Sequence, residues 1–242
     1  MCERYFYIFA CILATSSFVN ADLAPFLKKC HASDSKCAKE AAQAAIPIYT
    51  AGLPDLGVAP LDPLKIDKLD ASTQGLKLTL TDVTVTGLKG CTVKKLQRDA
   101  AKWKLFVKVL CDINLEGTYD MDGNLLVLPI QGNGPVHVKL RQIQITAEID
   151  FEEKTQKDGQ VHWHAKGFKH SYELKEKADV VFENLFNGNE VLGRAARELI
   201  ASNGNDIITE VGPPVIKKVI TKLRDNINSF FRKVPVEDLV LD

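Results

Sequence analysis

The feature that most constrains this chain is a change of hydrophobic period along its length. From Leu64 to Val181 apolar residues recur at every second position, and from Asn189 to Lys233 at every third or fourth. Leu76-Lys77-Leu78-Thr79-Leu80 and Val83-Thr84-Val85-Thr86 alternate, as does Leu105 to Leu115 through Val107, Val109, Cys111 and Ile113. Side chains two apart on a strand share a face, so these segments read as strands of a long antiparallel meander. Leu125 to Ile130 is a continuous apolar run. Between Val136 and Ile149 the pattern loses phase. Val138 and Leu140 fall on one face and Ile143 and Ile145 on the other, which predicts a bulge near Arg141. Asp122-Gly123 and Asp158-Gly159 are hairpin-turn signals.

In the last segment Val191, Leu192, Ala195, Ala196, Leu199 and Ile200 form one stripe, which Ile207, Ile208, Val211, Val215, Val219 and Leu223 continue. One helix over 189–233 would be roughly 65 Å long, more than a compact domain of this size needs. Gly212-Pro213-Pro214 predicts a kink or interruption within it. An apolar stripe of that length requires an equally long partner, and the curled sheet is that partner. The interior is then either a filled core or an apolar tunnel beside the helix.

Ahead of the strands, Asp34 or Ser33 can cap a short helix rich in good helix formers over Cys37 to Ala42, which Pro47 is expected to end. Gly52 to Pro63 reads as an extended, proline-punctuated stretch.

The first residues carry a different signal. Arg4 and the free amine give a weakly positive start, Tyr5 to Ala14 is apolar but too short to span a bilayer, and Val19-Asn20-Ala21 has the small residues a signal peptidase reads. Residues 1–21 are therefore expected to be a signal peptide. The remainder, 22–242, is expected to be a single domain of a secreted, extracellular protein. Lys and Arg match Asp and Glu at 31 each, so no concentrated basic face is available for nucleic acid.

Cys2 and Cys11 would leave with the signal, and Cys30, Cys37, Cys91 and Cys111 remain. An even number in an oxidising compartment points to two disulfides, for which three connectivities exist. The local pairs Cys30–Cys37 and Cys91–Cys111 are favoured. Closing residues 30–37 and 91–111 is worth roughly 2.5 and 3.3 kcal/mol by chain entropy.

"FLKKCHASDSKC", "PLDPLKID" at Pro60 to Asp67, "EGTYDMDGNLLVLPIQGNG" at Glu116 to Gly134, "NLFNG" at Asn184 to Gly188 and "VPVEDLV" near the C-terminus occur in one order across the chain. In that order and spacing the chain resembles the insect juvenile hormone-binding protein and takeout family. "LPIQGNG" and "NLFNG" lean toward the takeout, circadian clock-controlled-like branch. The moth haemolymph carriers hold a second disulfide in the latter half of the chain, whereas Cys111 is the last cysteine here. The resemblance implies an α+β fold of the tubular lipid-binding, super-roll type, a highly curved antiparallel sheet wrapped around a long C-terminal helix. It also implies a secreted, non-enzymatic carrier of a small apolar ligand such as a juvenile hormone-like terpenoid or a fatty acid, with no cofactor. A monomer is expected, delivering its ligand to a receptor or a membrane surface. The alternative is an interaction module with a filled core.

The residues themselves carry little chemistry. No G-x-S-x-G elbow, H-E-x-x-H, P-loop or C-x-x-C is present. Gly132-Asn133-Gly134 leads into a strand and reads as a turn or bulge. His162-Trp163-His164 places two imidazoles on one strand face, with Glu153 opposite His164 if Asp158-Gly159 is a two-residue turn. An ordinary polar strand face is the simpler reading. The expected ligand contacts are Tyr49, Tyr119, Phe182, Phe186, Phe230 and Phe231, with Tyr49, Tyr119 and Trp163 able to offer hydrogen-bond groups. The N-terminal segment, stapled by Cys30–Cys37, is placed to gate one end of a tunnel.

Overall fold

In a computed structural model, described over residues 23–242, the two central strands are far longer than the molecule is wide. β4 (Lys104–Leu125) has 22 residues and β5 (Leu128–Thr155) has 28. A straight 28-residue strand would reach about 90 Å, whereas a compact chain of this size is about 45 Å across. The pair must therefore curl. The other strands are β1 (Leu64–Asp70), β2 (Leu76–Thr86), β3 (Thr92–Asp99), β6 (Val161–Leu174) and β7 (Asp179–Phe182). All pairings are antiparallel, in the order β1-β2-β4-β5-β6. β3 pairs with the first part of β4 and β7 with an early part of β5. Each long strand thus changes neighbour part-way along.

The expected bulge lies at Arg141–Gln142. Cys111 pairs with Ile143, but Ile113 pairs with Leu140. Gln142 has φ 51°, and its N–H donates to Asp112 Oδ1 at 2.8 Å. The extra residue returns Ile143 and Ile145 to the face that Val138 and Leu140 occupy. Without it half of β5 would turn its apolar side to water.

Two turn expectations need correction. Asp122-Gly123 lies inside β4, paired with Gln131 and Ile130, and the chain reverses instead at Leu126–Val127, within the apolar run. Glu210 of the C-terminal helix holds this turn by accepting from the Leu126 N–H at 2.8 Å. Asp158-Gly159 does lie in the β5–β6 turn, but that turn is longer than two residues, with the Gln156 N–H donating to the Gln160 carbonyl. Trp163 therefore stands opposite Glu153, and His164 opposite Glu152. Gly132-Asn133-Gly134 is neither turn nor bulge. It runs in register within β5, where a Cβ on Gly132 would lie 2.9 Å from the Tyr119 hydroxyl and 3.0 Å from the Asn184 carbonyl.

The helical boundaries also differ. α1 (Ser35–Ala51), capped by Asp34, continues through Pro47 and ends at Gly52, which has φ 93°. Pro47 removes only one donor, and the Thr50 hydroxyl donates to the Ile46 carbonyl at 2.7 Å in the last turn. The C-terminal stripe is two helices, α2 (Glu190–Ser202) and α3 (Gly204–Phe231). The break falls at Asn203, not at Gly212-Pro213-Pro214. A Cβ on Gly204 would lie 2.0 Å from the Ala178 carbonyl, so the chain must turn where its backbone touches the neighbouring segment. α3 runs through both prolines because Ile207, Ile208, Val211, Ile216 and Ile220 are buried inside the sheet, and that burial outweighs two lost backbone bonds.

Candidate functional site: an apolar cavity beside the last helix

Inward residues of the curled sheet do not close fully onto α3. A cavity of about 520 Å³ remains between them, within the roughly 300–1,000 Å³ of sites that enclose one small molecule. β4 contributes Leu105, Val107, Val109, Cys111, Ile113 and Leu115. β5 contributes Val136, Val138 and Leu140 before the bulge, and Ile143, Ile145 and Ala147 beyond it. Alternate residues thus line the wall along most of both strands, and the bulge keeps the series unbroken. On the opposite side α3 lines the cavity from Ile207 to Phe231, a distance of about 35 Å at 1.5 Å per residue. The Cys91–Cys111 disulfide also borders it, joining the start of β3 to β4.

One end lies under α1 and the N-terminal segment. Leu27, Ala42, Ala45, Ile46, Tyr49 and Thr50 line the cavity there. Phe230 packs against Phe26 at 6.2 Å and edge-on against Tyr49 at 5.8 Å between ring centroids. The Cys30–Cys37 disulfide holds this cap, and the C-terminal tail clasps it. Cys30 bridges Val240, Lys29 pairs with Asp238 at 3.1 Å, and the Ala32 N–H donates to Asp242 at 2.7 Å.

Polar groups are nearly absent from the wall. The Thr50 hydroxyl is bonded to the Ile46 carbonyl. Arg224 is held by Asp225 at 2.6 and 3.0 Å, with its guanidinium 5.9 Å from the Phe168 ring. The Tyr49 hydroxyl is buried and has no hydrogen-bond partner. Burial pushes its pKa far above the ordinary tyrosine value.

Of the six aromatic residues singled out from sequence, Tyr49, Phe182, Phe230 and Phe231 line the cavity. Tyr119 and Phe186 lie outside its wall. Tyr119 donates to the Glu183 carbonyl at 2.6 Å and stands edge-on to Phe182 at 4.8 Å, bracing that end of the cavity from behind. Phe186 packs against the main core from a short turn. Trp163 is likewise set back, packed tilted against Phe151 and edge-on to Phe231, with the Arg98 guanidinium 4.8 Å from its ring. His162 and His164 do not converge on one partner. His162 is bonded to the Phe231 carbonyl and Asp158, and His164 stands opposite Glu152. The alanines and Ile46 of α1 were missed by sequence reasoning, because in sequence they read as ordinary helix formers and nothing marks the face of α1 that meets the cavity.

A family profile described as haemolymph juvenile hormone binding protein matches residues 8–241. The circadian clock-controlled protein daywake of Drosophila yakuba is 23% identical over 225 residues, covering 88% of this chain and 86% of that protein. The juvenile hormone-binding protein of Manduca sexta is 26% identical over 100 residues, 40% of this chain and 44% of the relative. The crystal structure of Epiphyas postvittana Takeout 1 superposes with a TM-score of 0.86 at 32% identity, covering 89% of this chain and all of that one.

Proposed function

Because the chain belongs to the haemolymph juvenile hormone binding protein family, we propose that it is a secreted, non-enzymatic carrier that sequesters one small apolar molecule in the cavity beside α3. The observation that carries this reading is the cavity itself, about 520 Å³ bordered almost wholly by aliphatic and aromatic side chains. A terpenoid or fatty chain buries on the order of 400 Å² of apolar surface, about 10 kcal/mol gross at roughly 25 cal/mol per Å². Loss of motional freedom reduces this to an expected micromolar to nanomolar affinity. Residues 1–21, read as a signal peptide, lie outside the described residues, so export rests on the sequence and on the two disulfides. Among the described residues no helix is long and apolar enough to cross a membrane. A monomer releasing its cargo at a receptor or a lipid surface completes the proposal.

The test is a titration with N-phenyl-1-naphthylamine, alongside native mass spectrometry of the secreted protein. One dye bound per chain, displaced by long-chain esters or terpenoids, supports the carrier. Ala147→Trp, which projects a bulky ring into the middle of the cavity, should abolish uptake while the chain still melts cooperatively. A wild-type protein that binds neither dye nor lipid would refute the carrier and leave the interaction module.

A further inference from the structure

Away from the cavity, a groove of about 540 Å³ crosses the sheet where the β3–β4 turn (100–103) meets β5 and β6. Trp103, Asp150, Glu152, Lys166 and Gly167 border it. Ile149 and Phe151 face the cavity, so Asp150 between them faces outward, and Gly167 is its partner on β6. On the other side of β5 the Phe151 N–H donates to the Trp103 carbonyl at 2.9 Å. The Trp103 and Gly167 backbones are thus two strand spacings apart, about 10 Å, with β5 between them.

Each of these two residues is the reverse of what its backbone favours. Trp103 has φ 55°, a left-handed conformation that suits glycine or asparagine and strains a bulky residue. Its side chain is 40% exposed and belongs to neither packed cluster of the core, so burial does not account for it. Gly167 lies within β6, and a Cβ there would meet nothing within 4 Å. A larger residue would fit, and its absence leaves the groove open. Strain held at an exposed aromatic beside an open groove is the mark of a binding surface and not of packing.

We infer that this groove is a second, polar site that binds a pyranose ring, of a free sugar or of a glycan chain, laid against the Trp103 indole and hydrogen-bonded by Asp150, Glu152 and Lys166. The site lies outside the cavity and does not depend on the carrier reading.

The rim sets the ligand class. Glu152 is matched by Lys154 at 2.7 Å and Lys166 at 3.9 Å, and Asp150 by Lys104 at 3.3 Å. The carboxylates disfavour an anion, and the lysines that already pair with them leave little attraction for a cation. A carboxylate only accepts and an ammonium only donates, so a hydroxyl, which does both, suits each of them. An exposed indole asks in addition for a flat patch of C–H groups. A pyranose supplies both, with hydroxyls around its edge and C–H groups on its face.

The experiment uses the two tryptophans of the chain, Trp103 and Trp163, whose indole N–H signals are followed by NMR in the 15N-labelled secreted protein and assigned with Trp103→Asn. The probes are methyl β-D-glucopyranoside, the β-1,4-linked trimer of N-acetylglucosamine, sorbitol and tetramethylammonium. Both sugars should shift the Trp103 signal saturably and leave Trp163 in place, and sorbitol, which has the hydroxyls without the ring face, should shift neither. By calorimetry Trp103→Asn and Gly167→Leu should each weaken the trimer by about tenfold or more, while both variants melt cooperatively and bind N-phenyl-1-naphthylamine as wild type does. A trimer bound at least tenfold more tightly than the glucoside supports the site with a glycan as its source, and equal affinities support it with a free sugar. No shift with either sugar, an equal shift with sorbitol, a shift with tetramethylammonium alone, or full trimer binding by both folded variants would each overturn the assignment.

Discussion

His162 Nδ1 donates to the Phe231 carbonyl across 2.7 Å, from a side chain only 1% exposed. That carbonyl belongs to the last turn of α3, where helix carbonyls lack partners within the helix. The other ring nitrogen meets Asp158 Oδ2 at 3.0 Å, so one imidazole ties the β5–β6 turn to the end of the helix that backs the cavity. Asn228 repeats the device three residues earlier, exchanging hydrogen bonds with both backbone groups of Ala165 at 2.8 and 3.0 Å. His162→Ala should therefore cost about 2–3 kcal/mol, because it leaves a buried carbonyl unpaired beside a small void. His164→Ala, at a half-buried position opposite Glu152, should change stability by less than about 0.5 kcal/mol. Urea unfolding of the two variants distinguishes them, and equal losses would mean the ring acts only by filling space.

The junction between α2 and α3 makes a sharper steric prediction. A methyl on Gly204 would collide with the Ala178 backbone oxygen, whereas one on Gly167 in β6 would meet nothing within 4 Å. Gly204→Ala should destabilise by about 3 kcal/mol or more, since backbone on both sides must move. Gly167→Ala should be close to neutral. Thermal melts of both variants would check this, and a neutral Gly204→Ala would show that the helix break is set by something other than this contact.

Much of this architecture was legible from the period of the apolar residues, and the failures share a physical cause. Leu105 to Leu115 alternates because one face lines the cavity, and the loss of phase after Leu140 marked the bulge that keeps Ile143 on the same wall. Local punctuation misled. Pro47 and Pro213-Pro214 are helix breakers taken alone, yet tertiary burial carries the helix through them. Asp122-Gly123 is a good turn taken alone, yet continuing β4 and β5 for two more pairs buries Leu125 and Ile130, and Glu210 secures the turn beyond. Which aromatic residues face the void was not readable either. Phe182 and Tyr119 touch each other, and only their depth in the curl decides that one lines the wall while the other braces it.

A pH dependence follows from a cluster on the outer face of the sheet. His137 on β5 hydrogen-bonds Glu116 of β4 through Nδ1 and lies 3.1 Å from Glu183, beyond β7, through Nε2. The Glu116 hydrogen bond, with Glu183 adding to it, raises the His137 pKa above the ordinary value near 6.5. The protonated form is therefore bound more tightly in the folded state. Its stabilising contribution is full below about pH 6.5 and is lost as pH rises through the elevated folded value. The site is exposed, so the effect should be small. Melting temperatures of wild type and His137→Gln should differ at mildly acidic pH and converge at alkaline pH; a gap that widened with pH would contradict the assignment.

The two disulfides should separate stability from gating. Cys91–Cys111 closes the longer loop and lies in the cavity wall, so replacing both cysteines with serine should cost about 3.3 kcal/mol, against about 2.5 kcal/mol for the same change at Cys30 and Cys37. Ligand release should rank the other way. The Cys30–Cys37 loop holds the segment whose Leu27 borders the cavity and whose Phe26 covers Phe230. The same loop anchors the C-terminal tail through Val240, Asp238 and Asp242. Loosening it frees the cap without disturbing the wall, so stopped-flow release of N-phenyl-1-naphthylamine should be fastest from the Cys30→Ser/Cys37→Ser variant, although that variant is the more stable of the two. If release instead tracked stability, with the Cys91→Ser/Cys111→Ser variant fastest, the exit would lie through the sheet and the N-terminal segment would be a staple and not a gate.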